Sequence, residues 1–210
     1  MKYLFYIISL LLLIFTSCNK DEIGFEFSGN IKSSVNASNL DNVEVKIYTY
    51  SLGNGVEKLA ASTTTDASGN YEASIERDKF EKVVMTFEKN NYFKVSQNIP
   101  FDDLSTENTN EYNKTIDAKS WTKFIIKNNS PSDGGDELKL QKASGKNDCD
   151  NCWSNGNKFF NGVVDTSFYV PNSGGSYMKF YWWSYGNTTL HAEDSVYNEA
   201  FDTTSYTINY

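Results

Sequence analysis

Residues 65–71, Thr65-Asp66-Ala67-Ser68-Gly69-Asn70-Tyr71, combine the residue types of a tight turn with the start of an alternating apolar pattern. Gly69 can adopt the positive φ that a chain reversal needs, and the Asp66 side chain can cap the backbone of the turn. After the turn, Tyr71, Ala73 and Ile75 occupy every second position. A period of two residues is typical of a strand with one buried face, so this stretch predicts a turn that leads into a β-strand.

The same alternation continues from Gly24 to Ile116 and predicts about seven strands. Long runs of helix formers are missing, whereas Thr, Tyr, Phe and Val are frequent, which favours an all-β fold. The alternating residues of the other predicted strands are Phe25, Phe27 and Ile31; Val43, Val45 and Ile47; Leu59, Ala61 and Thr63; Val83, Met85 and Phe87; Phe93, Val95 and Ile99; and Tyr112 to Ile116.

Three segments follow in order the pattern of a known family: Ser28-Gly29-Asn30-Ile31, then Leu40-Asp41-Asn42-Val43-Glu44-Val45, then the turn at 65–71. This order resembles a carboxypeptidase regulatory-like domain, a family of transthyretin-like β-sandwiches, over residues 24–117. Family members often carry Gly-Tyr where this chain has Asn91-Tyr92. The resemblance implies a non-catalytic accessory domain and no peptidase, since a zinc carboxypeptidase needs two His ligands and the chain has only His191.

A second alternating series occupies residues 118–210 and predicts a second β-sandwich, immunoglobulin-like or similar. No family resemblance was found in this half. The two halves are both rich in predicted strands but show no readable repeat, and the sequence predicts two β-sandwich domains in series. The alternating residues are Trp121, Phe124 and Ile126; Leu138 and Leu140; Phe159 to Val164; Phe168 and Val170; Met178, Phe180 and Trp182; and Tyr206, Ile208 and Tyr210.

The N-terminus has the order of a cleaved secretory signal: Lys2, an apolar run from Tyr3 to Phe15, and small residues before Cys18. The run is too short for a transmembrane helix, which needs roughly 20 apolar residues. Phe15-Thr16-Ser17-Cys18 resembles a lipobox, which implies a signal peptide of residues 1–17 and acylation (palmitate) of Cys18 in a tether of residues 18–23. An ordinary signal peptide cut nearby, or a Cys18 that is merely buried, is the alternative.

Three charged residues lie close behind Cys18, after Asn19. Asn19-Lys20-Asp21-Glu22 resembles the export signal of Bacteroidetes-type lipoproteins, which implies an outer-membrane, lipid-anchored protein displayed at the cell surface. The three charged residues Lys20, Asp21 and Glu22 carry this prediction. A plain solvated tether on the periplasmic side of the membrane has the same composition, so the leaflet stays open.

The chain of 210 residues is acidic, with a formal net charge of −8 and a single arginine, Arg77. It lacks the basic footprint that phosphate backbones require, which argues against nucleic acid and against electrostatic docking on anionic lipid. The predicted membrane contact is therefore the N-terminal lipid anchor.

Two cysteines remain beside Cys18, and the spacing Cys149-Asp150-Asn151-Cys152 allows a small disulfide ring in an exported protein. So short a loop contributes at most about 2 kcal/mol, which makes its role local. A reduced pair is the alternative. Redox chemistry would need a strand-to-helix context and a zinc site would need four ligands, and the sequence shows neither.

Residues 177–185 supply the candidate ligand face. Alternation directs Met178, Phe180 and Trp182 to one side of a strand and four other rings to the opposite side, namely Tyr177, Tyr181, Trp183 and Tyr185. An exposed row of rings suits a glycan or a protein partner. The alternative is that both sides are covered, one by the partner sheet and one by the first domain or a loop.

Enzyme motifs are missing, and no catalytic residue, cofactor or metal site is predicted. The polar segment 128–137 has the residue types of turns. The segment 147–151 also predicts a turn, because it lacks the Gly and Glu positions of a calcium loop.

The main hypothesis is a non-catalytic lipoprotein that binds glycan or protein ligands at the envelope. One alternative is a structural spacer or assembly subunit of a surface complex. The other is a hydrolase, which would need two carboxylates on opposite sides of a cleft. The paired carboxylates of this chain, Asp102 and Asp103, are adjacent in sequence.

Overall fold

The computed structural model describes residues 24–128, 131, 134–154, 156–186 and 189–210. Apart from one turn of 3-10 helix, all regular structure in these residues is β-strand, as the sequence predicts. None of the helical structure described here has the length and apolar content needed to cross a membrane. The predicted lipidation and export residues, Cys18, Lys20, Asp21 and Glu22, lie outside the described residues.

The first half contains eight strands and the short helix: β1 Gly24–Ser33, β2 Glu44–Ser51, β3 Glu57–Thr64, β4 Asn70–Glu76, β5 Phe80–Glu88, β6 Val95–Pro100, the 3-10 helix Phe101–Asp103, β7 Asn110–Glu111 and β8 Lys114–Ile116. The single strand predicted from Tyr112 to Ile116 is replaced by two short ones, β7 and β8, which both pair in parallel with β1.

These strands form two facing sheets. One has the order β4-β1-β7, with β8 also on β1, and the other has the order β3-β2-β5-β6. The predicted alternation places one row of side chains between the sheets, and Ile31, Val45, Ile47, Met85 and Phe87 are each fully buried there. The first domain is thus a β-sandwich with one core.

The turn at 65–71 has the predicted geometry. Gly69 has a φ of +75°, and an Asp66 carboxylate oxygen accepts hydrogen bonds from the backbone N–H groups of Ser68 and Asn70, both at 2.8 Å. Thr65 is buried, and its Oγ1 accepts from Val43 N at 2.9 Å and donates to Leu40 O at 2.6 Å. The Tyr71 hydroxyl donates to Tyr112 O at 2.9 Å. The turn is therefore tied through Thr65 to the loop that precedes β2, and through Tyr71 to the segment between β7 and β8.

The third predicted strand exists, but Leu59 is exposed on it. The pairing of β2 with β3 shifts register after Ile47, which lies opposite Ala61, so that Tyr48 lies opposite Leu59. Such a bulge inserts one extra residue, here Ala60, so the residues before it and those after it do not follow a single alternating pattern. The outward position of Leu59 follows from this shift.

The second half contains seven strands: β9 Lys119–Asn128, β10 Glu137–Ser144, β11 Asn157–Asn161, β12 Val164–Ser173, β13 Ser176–Tyr185, β14 Leu190–Asn198 and β15 Thr203–Asn209. They form sheets of order β12-β9-β15 and β11-β10-β13-β14. The prediction of two β-sandwiches in series is confirmed.

The two sandwiches share one strand order. In each domain, the first strand (β1 or β9) is antiparallel to the fourth (β4 or β12) on one side and parallel to the last (β8 or β15) on the other. The facing sheet of each domain has its strands in the order third, second, fifth, sixth. Immunoglobulin domains place strands ABED and CFG in their two sheets, so this arrangement differs from theirs. The second domain repeats the architecture of the first, although the sequences show no repeat.

The parallel pairs fix where the described part of the chain begins, at Gly24, and where it ends, at Tyr210. β8 runs parallel to β1 and ends two residues before β9, so Gly24 lies at the pole of the first sandwich that faces away from the second. β15 runs parallel to β9, which places Tyr210 at the far pole of the second sandwich. Each sandwich has a central strand of ten residues, so the two placed end to end extend up to about 65 Å.

Candidate functional site

The strand β13 presents the predicted row of rings on the outer side of its sheet. Tyr177 and Tyr185 are exposed, Tyr181 and Trp183 are half-buried, and the alternating residues Met178 and Phe180 are fully buried in the core. We call the four rings Tyr177, Tyr181, Trp183 and Tyr185 the outer aromatic face. Neither the first domain nor the facing sheet covers it.

Neighbouring strands add side chains to this face. Register places Lys139 of β10 and His191 of β14 on either side of Trp183, and Phe159 of β11 beyond Lys139. Phe159 and His191 are both exposed. The outer aromatic face is therefore the centre of a mixed aromatic and charged surface across four strands.

The rings also contact one another and a lysine. The centroids of Tyr181 and Trp183 are 6.0 Å apart, and Tyr177 meets Tyr197 of β14 edge to face at 5.1 Å. Lys139 Nζ lies 4.6 Å from the Trp183 ring centroid, within the range of a cation–π interaction. A sugar that stacked on this side of Trp183 would have to displace the lysine, whereas Tyr177 and Tyr185 are open to solvent.

A second site of interest is the joint between the domains, formed by Asp117, Ala118 and Lys119. On one side, Lys119 N donates to Asn91 O at 2.7 Å and Phe93 N donates to Asp117 O at 2.8 Å. On the other, Gly174 N donates to Ala118 O at 2.8 Å and Phe201 N donates to Lys119 O at 2.7 Å. The connecting residues are thus bonded to both domains and do not form a free linker.

Side chains close the joint around an ion pair. Asp117 Oδ2 accepts from Lys146 Nζ at 2.9 Å and from Ser173 Oγ at 3.0 Å, both in the second domain, and Ser34 of the first domain bonds the same carboxyl. Lys146 also pairs with Asp148 at 3.0 Å. Its Nζ lies 5.1 Å from the ring centroid of Phe93, a buried residue of the first domain.

Both charged groups are stabilised in their ionised forms. Burial would raise the pKa of the Asp117 carboxyl, but the hydrogen bond and the charge of Lys146 hold it below its ordinary value. Burial would likewise lower the pKa of Lys146, yet its bonds to Asp117 and Asp148 raise it. The pair is therefore ionised at neutral pH.

Ring contacts add to the joint. Tyr92 of the first domain and Phe201 of the second meet edge to face with centroids 5.3 Å apart. A Cβ added to Gly174 would lie 2.6 Å from Ala200 Cα, and one added to Gly175 would lie 3.4 Å from Val35 Cγ1 of the first domain. The sequence did not predict these contacts, because the two partners of each contact are distant in sequence.

The predicted disulfide between Cys149 and Cys152 is present, with the Cα atoms 5.2 Å apart. The next residue, Trp153, is buried and meets Phe124 edge to face at 6.0 Å, and its Nε1 donates to Gly156 O at 3.1 Å. The disulfide thus holds a loop whose main contribution is a core tryptophan, which the sequence analysis missed because Trp153 stands alone in a polar segment.

The other chemical candidates are not assembled into a site. Asp102 and Asp103 lie side by side in the 3-10 helix with both side chains exposed to solvent. Within the described part of the chain, no group of three or more His, Cys, Asp or Glu side chains is placed to hold a metal ion.

No family model and no curated protein sequence matches this chain. Among solved structures, it is similar to the Bacillus anthracis TIE protein, with 14% identity, 89% of this chain and 34% of that chain covered, and a TM-score of 0.38. The Streptococcal ancillary pilin has 11% identity and a TM-score of 0.38, with 90% of this chain and 63% of that chain covered. The shaft pilin spaA from Lactobacillus rhamnosus GG has 8% identity and a TM-score of 0.37, with 89% of this chain and 97% of that chain covered.

The chain spans about a third of the first of these proteins and just under two thirds of the second. TM-scores this low establish neither a shared family nor a shared function.

Proposed function

We propose that this protein is a non-catalytic, lipid-anchored component of the cell envelope whose two sandwiches act as a rigid spacer or assembly subunit. The joint carries this proposal. Its connecting residues are hydrogen-bonded to both domains, and the Asp117–Lys146 pair and the Tyr92–Phe201 contact lie across it. A joint of this kind resists bending more than a solvated linker would.

The positions of the two chain ends support the same function. An anchor at Cys18 would attach the protein at the pole where Gly24 lies, and the second sandwich would then hold Tyr210 and its own outer pole away from the membrane. A rigid pair of domains maintains that separation, whereas a flexible pair would collapse towards the surface.

Rigidity is tested by the distance between spin labels at Lys79→Cys, near the pole of Gly24, and Asn161→Cys, near the pole of Tyr210. The chain from residue 18 onward carries Cys18→Ser, so that only the introduced thiols react beside the Cys149–Cys152 disulfide. A single narrow distance distribution is expected. A broad distribution would show a hinge and contradict the spacer function.

Surface display is the second part of the proposal and rests on Lys20, Asp21 and Glu22. It is tested by protease and antibody accessibility on unbroken cells, with a chain carrying Ala at all three positions as the control. Labelling of the wild-type chain that the variant loses would support display. Absence of labelling in both would place the domains in the periplasm, where the spacer function could still hold.

The outer aromatic face favours a second candidate function, the binding of glycan or protein ligands. The specific observation is that Tyr177 and Tyr185 are exposed and Tyr181 and Trp183 are half-buried on one uncovered surface. Titration of oligosaccharides against intrinsic fluorescence tests this function. Saturable quenching that Tyr181→Ala or Trp183→Ala removes would support it.

Tyr169→Ala is the matched control, because Tyr169 is an exposed ring on β12, in the other sheet, with Lys123 above it. Equal loss of quenching in the control would indicate non-specific contact. Absence of quenching by any sugar would leave a protein partner as the remaining ligand of this face.

A further inference from the structure

The turn between β2 and β3 exposes two apolar side chains at its tip. Leu52 is 70% exposed and Val56 is 56% exposed. Backbone groups and the Asn54 side chain close the turn, and the side chains of Leu52 and Val56 take no part in these bonds. Ser51 N donates to Val56 O at 3.0 Å, Gly55 N donates to Ser51 O at 3.0 Å, and Asn54 Oδ1 accepts from Val56 N at 3.2 Å. Gly and Asn satisfy the backbone of such a turn, so folding does not account for a leucine and a valine that project into solvent.

This tip lies at the same pole as the start of the described chain. Ser51 pairs with Phe80, the first residue of β5, and the Phe80 ring meets Phe25 at 5.8 Å. Phe25 follows Gly24 directly. The tip of the β2–β3 turn and the attachment point of the N-terminal segment are therefore neighbours on one end of the first sandwich.

The length of the N-terminal segment limits how far this pole can lie from a membrane. Six residues, 18–23, separate the predicted lipidated cysteine from β1. Six residues span at most about 20 Å when fully extended. An acylated Cys18 therefore holds the pole and its exposed leucine within that distance of the lipid headgroups.

The chemistry of the tip matches a lipid interface. Residues 51–56, Ser-Leu-Gly-Asn-Gly-Val, carry no charge, which avoids repulsion between an acidic protein and anionic lipid. Leu52 and Val56 are both exposed, so the described part of the chain leaves most of the surface of these two apolar side chains uncovered. A contact this small is weak alone, but an anchor raises its effective concentration at the bilayer.

We propose that the β2–β3 tip contacts the membrane, with Leu52 and Val56 inserted among the headgroups, as a second attachment point beside the lipid on Cys18. This proposal rests on the lipid anchor of the proposed function. Two points of attachment fix the tilt of the first sandwich, which a single tether leaves free. The rigid joint then transmits this orientation to the second domain.

The test places the environment-sensitive fluorophore nitrobenzoxadiazole on Leu52→Cys in the acylated protein, reconstituted in phosphatidylethanolamine–phosphatidylglycerol vesicles that contain nitroxide-labelled lipid. Acylation of Cys18 and the Cys149–Cys152 disulfide leave the introduced thiol as the reactive one. The matched control is Val163→Cys, which is 75% exposed in the turn between β11 and β12, at the opposite pole.

A blue shift at position 52, with quenching roughly threefold or more above that at position 163, is expected from a side chain held about 5–10 Å into the interface. Equal quenching at both positions would overturn the proposal. Flotation of the vesicles reports the anchor separately: protein that floats with an unquenched probe contradicts the tip contact alone. Protein that fails to float contradicts the anchor and the contact together.

Discussion

Lys146 of the second domain pairs with Asp117, the residue that follows the last strand of the first domain, at 2.9 Å between Nζ and Oδ2. The lysine side chain is only 12% exposed, and it reaches the joint from the loop after β10. The relative orientation of the two sandwiches therefore depends on a contact made by a loop and not by the connecting backbone alone.

Lys146→Met should loosen the joint, because it keeps the length of the side chain but removes its charge and its bonds to Asp117 and Asp148. We expect a broader distance distribution between labels at Lys79→Cys and Asn161→Cys. Lys123→Met, which removes a lysine above Tyr169 in the same domain, should leave the distribution unchanged. An unchanged distribution in Lys146→Met would show that the backbone bonds suffice.

Acid should loosen the joint in the wild-type chain. The pKa of Asp117 is held below its ordinary value of 3.8, so its contribution is complete above that value and is lost as pH falls through the lowered one. The pKa of Lys146 is raised above 10.5, so its contribution is complete below 10.5 and is lost as pH rises through the raised value. The label distribution should stay narrow near neutral pH and broaden in strong acid and strong base.

Asp117→Asn separates this effect from general acid denaturation. The amide keeps the size of the carboxyl but cannot ionise, so the joint should already be loose at neutral pH and should respond less to acid. An acid response equal to that of the wild-type chain would assign the effect to other carboxylates.

Gly29→Ala should destabilise the first domain. A Cβ on Gly29 would lie 2.2 Å from Tyr112 O and 2.8 Å from Tyr71 Cε1, so β1 or the segment after β7 must shift. Overpacking of this kind costs about 1–3 kcal/mol or more. Urea unfolding measures the loss. Gly134→Ala is the control, because among the described residues, chain neighbours aside, no atom lies within 4 Å of the position of a Cβ there. Equal stability of the two variants would refute the close approach.

Asn198→Ala should destabilise the second domain. Asn198 is fully buried, and its side chain connects the two sheets: Nδ2 donates to Trp121 O at 3.1 Å and Oδ1 accepts from Asn172 Nδ2 at 2.9 Å. Leaving these partners unsatisfied costs about 1–3 kcal/mol. Thermal unfolding measures the change against the exposed Asn209→Ala. A difference near zero would mean that water replaces the amide.

Removal of the disulfide should cost less than removal of the tryptophan next to it. Cys149→Ser with Cys152→Ser should lower stability by at most about 2 kcal/mol, because the closed loop is short. Trp153→Ala should cost about 3–5 kcal/mol, because it empties a buried site against Phe124. Chemical denaturation of both variants ranks them, and the reverse order would contradict a local role for the disulfide.

The sequence predicted the features that depend on local patterns. Alternation located most strands and their buried residues, and the residue types at 65–71 predicted the positive φ of Gly69 and the cap by Asp66. β14 lacked such a pattern, since Leu190 to Glu193 mix exposed residues with one partly buried alanine. Alternation therefore did not locate this strand.

Features that depend on distant residues were not predictable. The outward position of Leu59 requires the bulge opposite β2, and the importance of Lys146 requires that its loop lie beside Asp117. The shared strand order of the two sandwiches was also invisible, because many different sequences satisfy the same alternation. The outer aromatic face was predictable as an alternating row, but the lysine above Trp183 came from a neighbouring strand.

The parallel pairing of first and last strands sets a condition on the order in which the chain can fold while it is synthesised. A chain that emerges N-terminus first presents β1 before β8 and β9 before β15, and in both cases about 80 residues must follow before the partner strand arrives. Each central strand therefore keeps one edge unpaired until the last strand of its own domain has been added. The first sandwich can therefore be complete while the second is still being synthesised, which separates the two folding events in time.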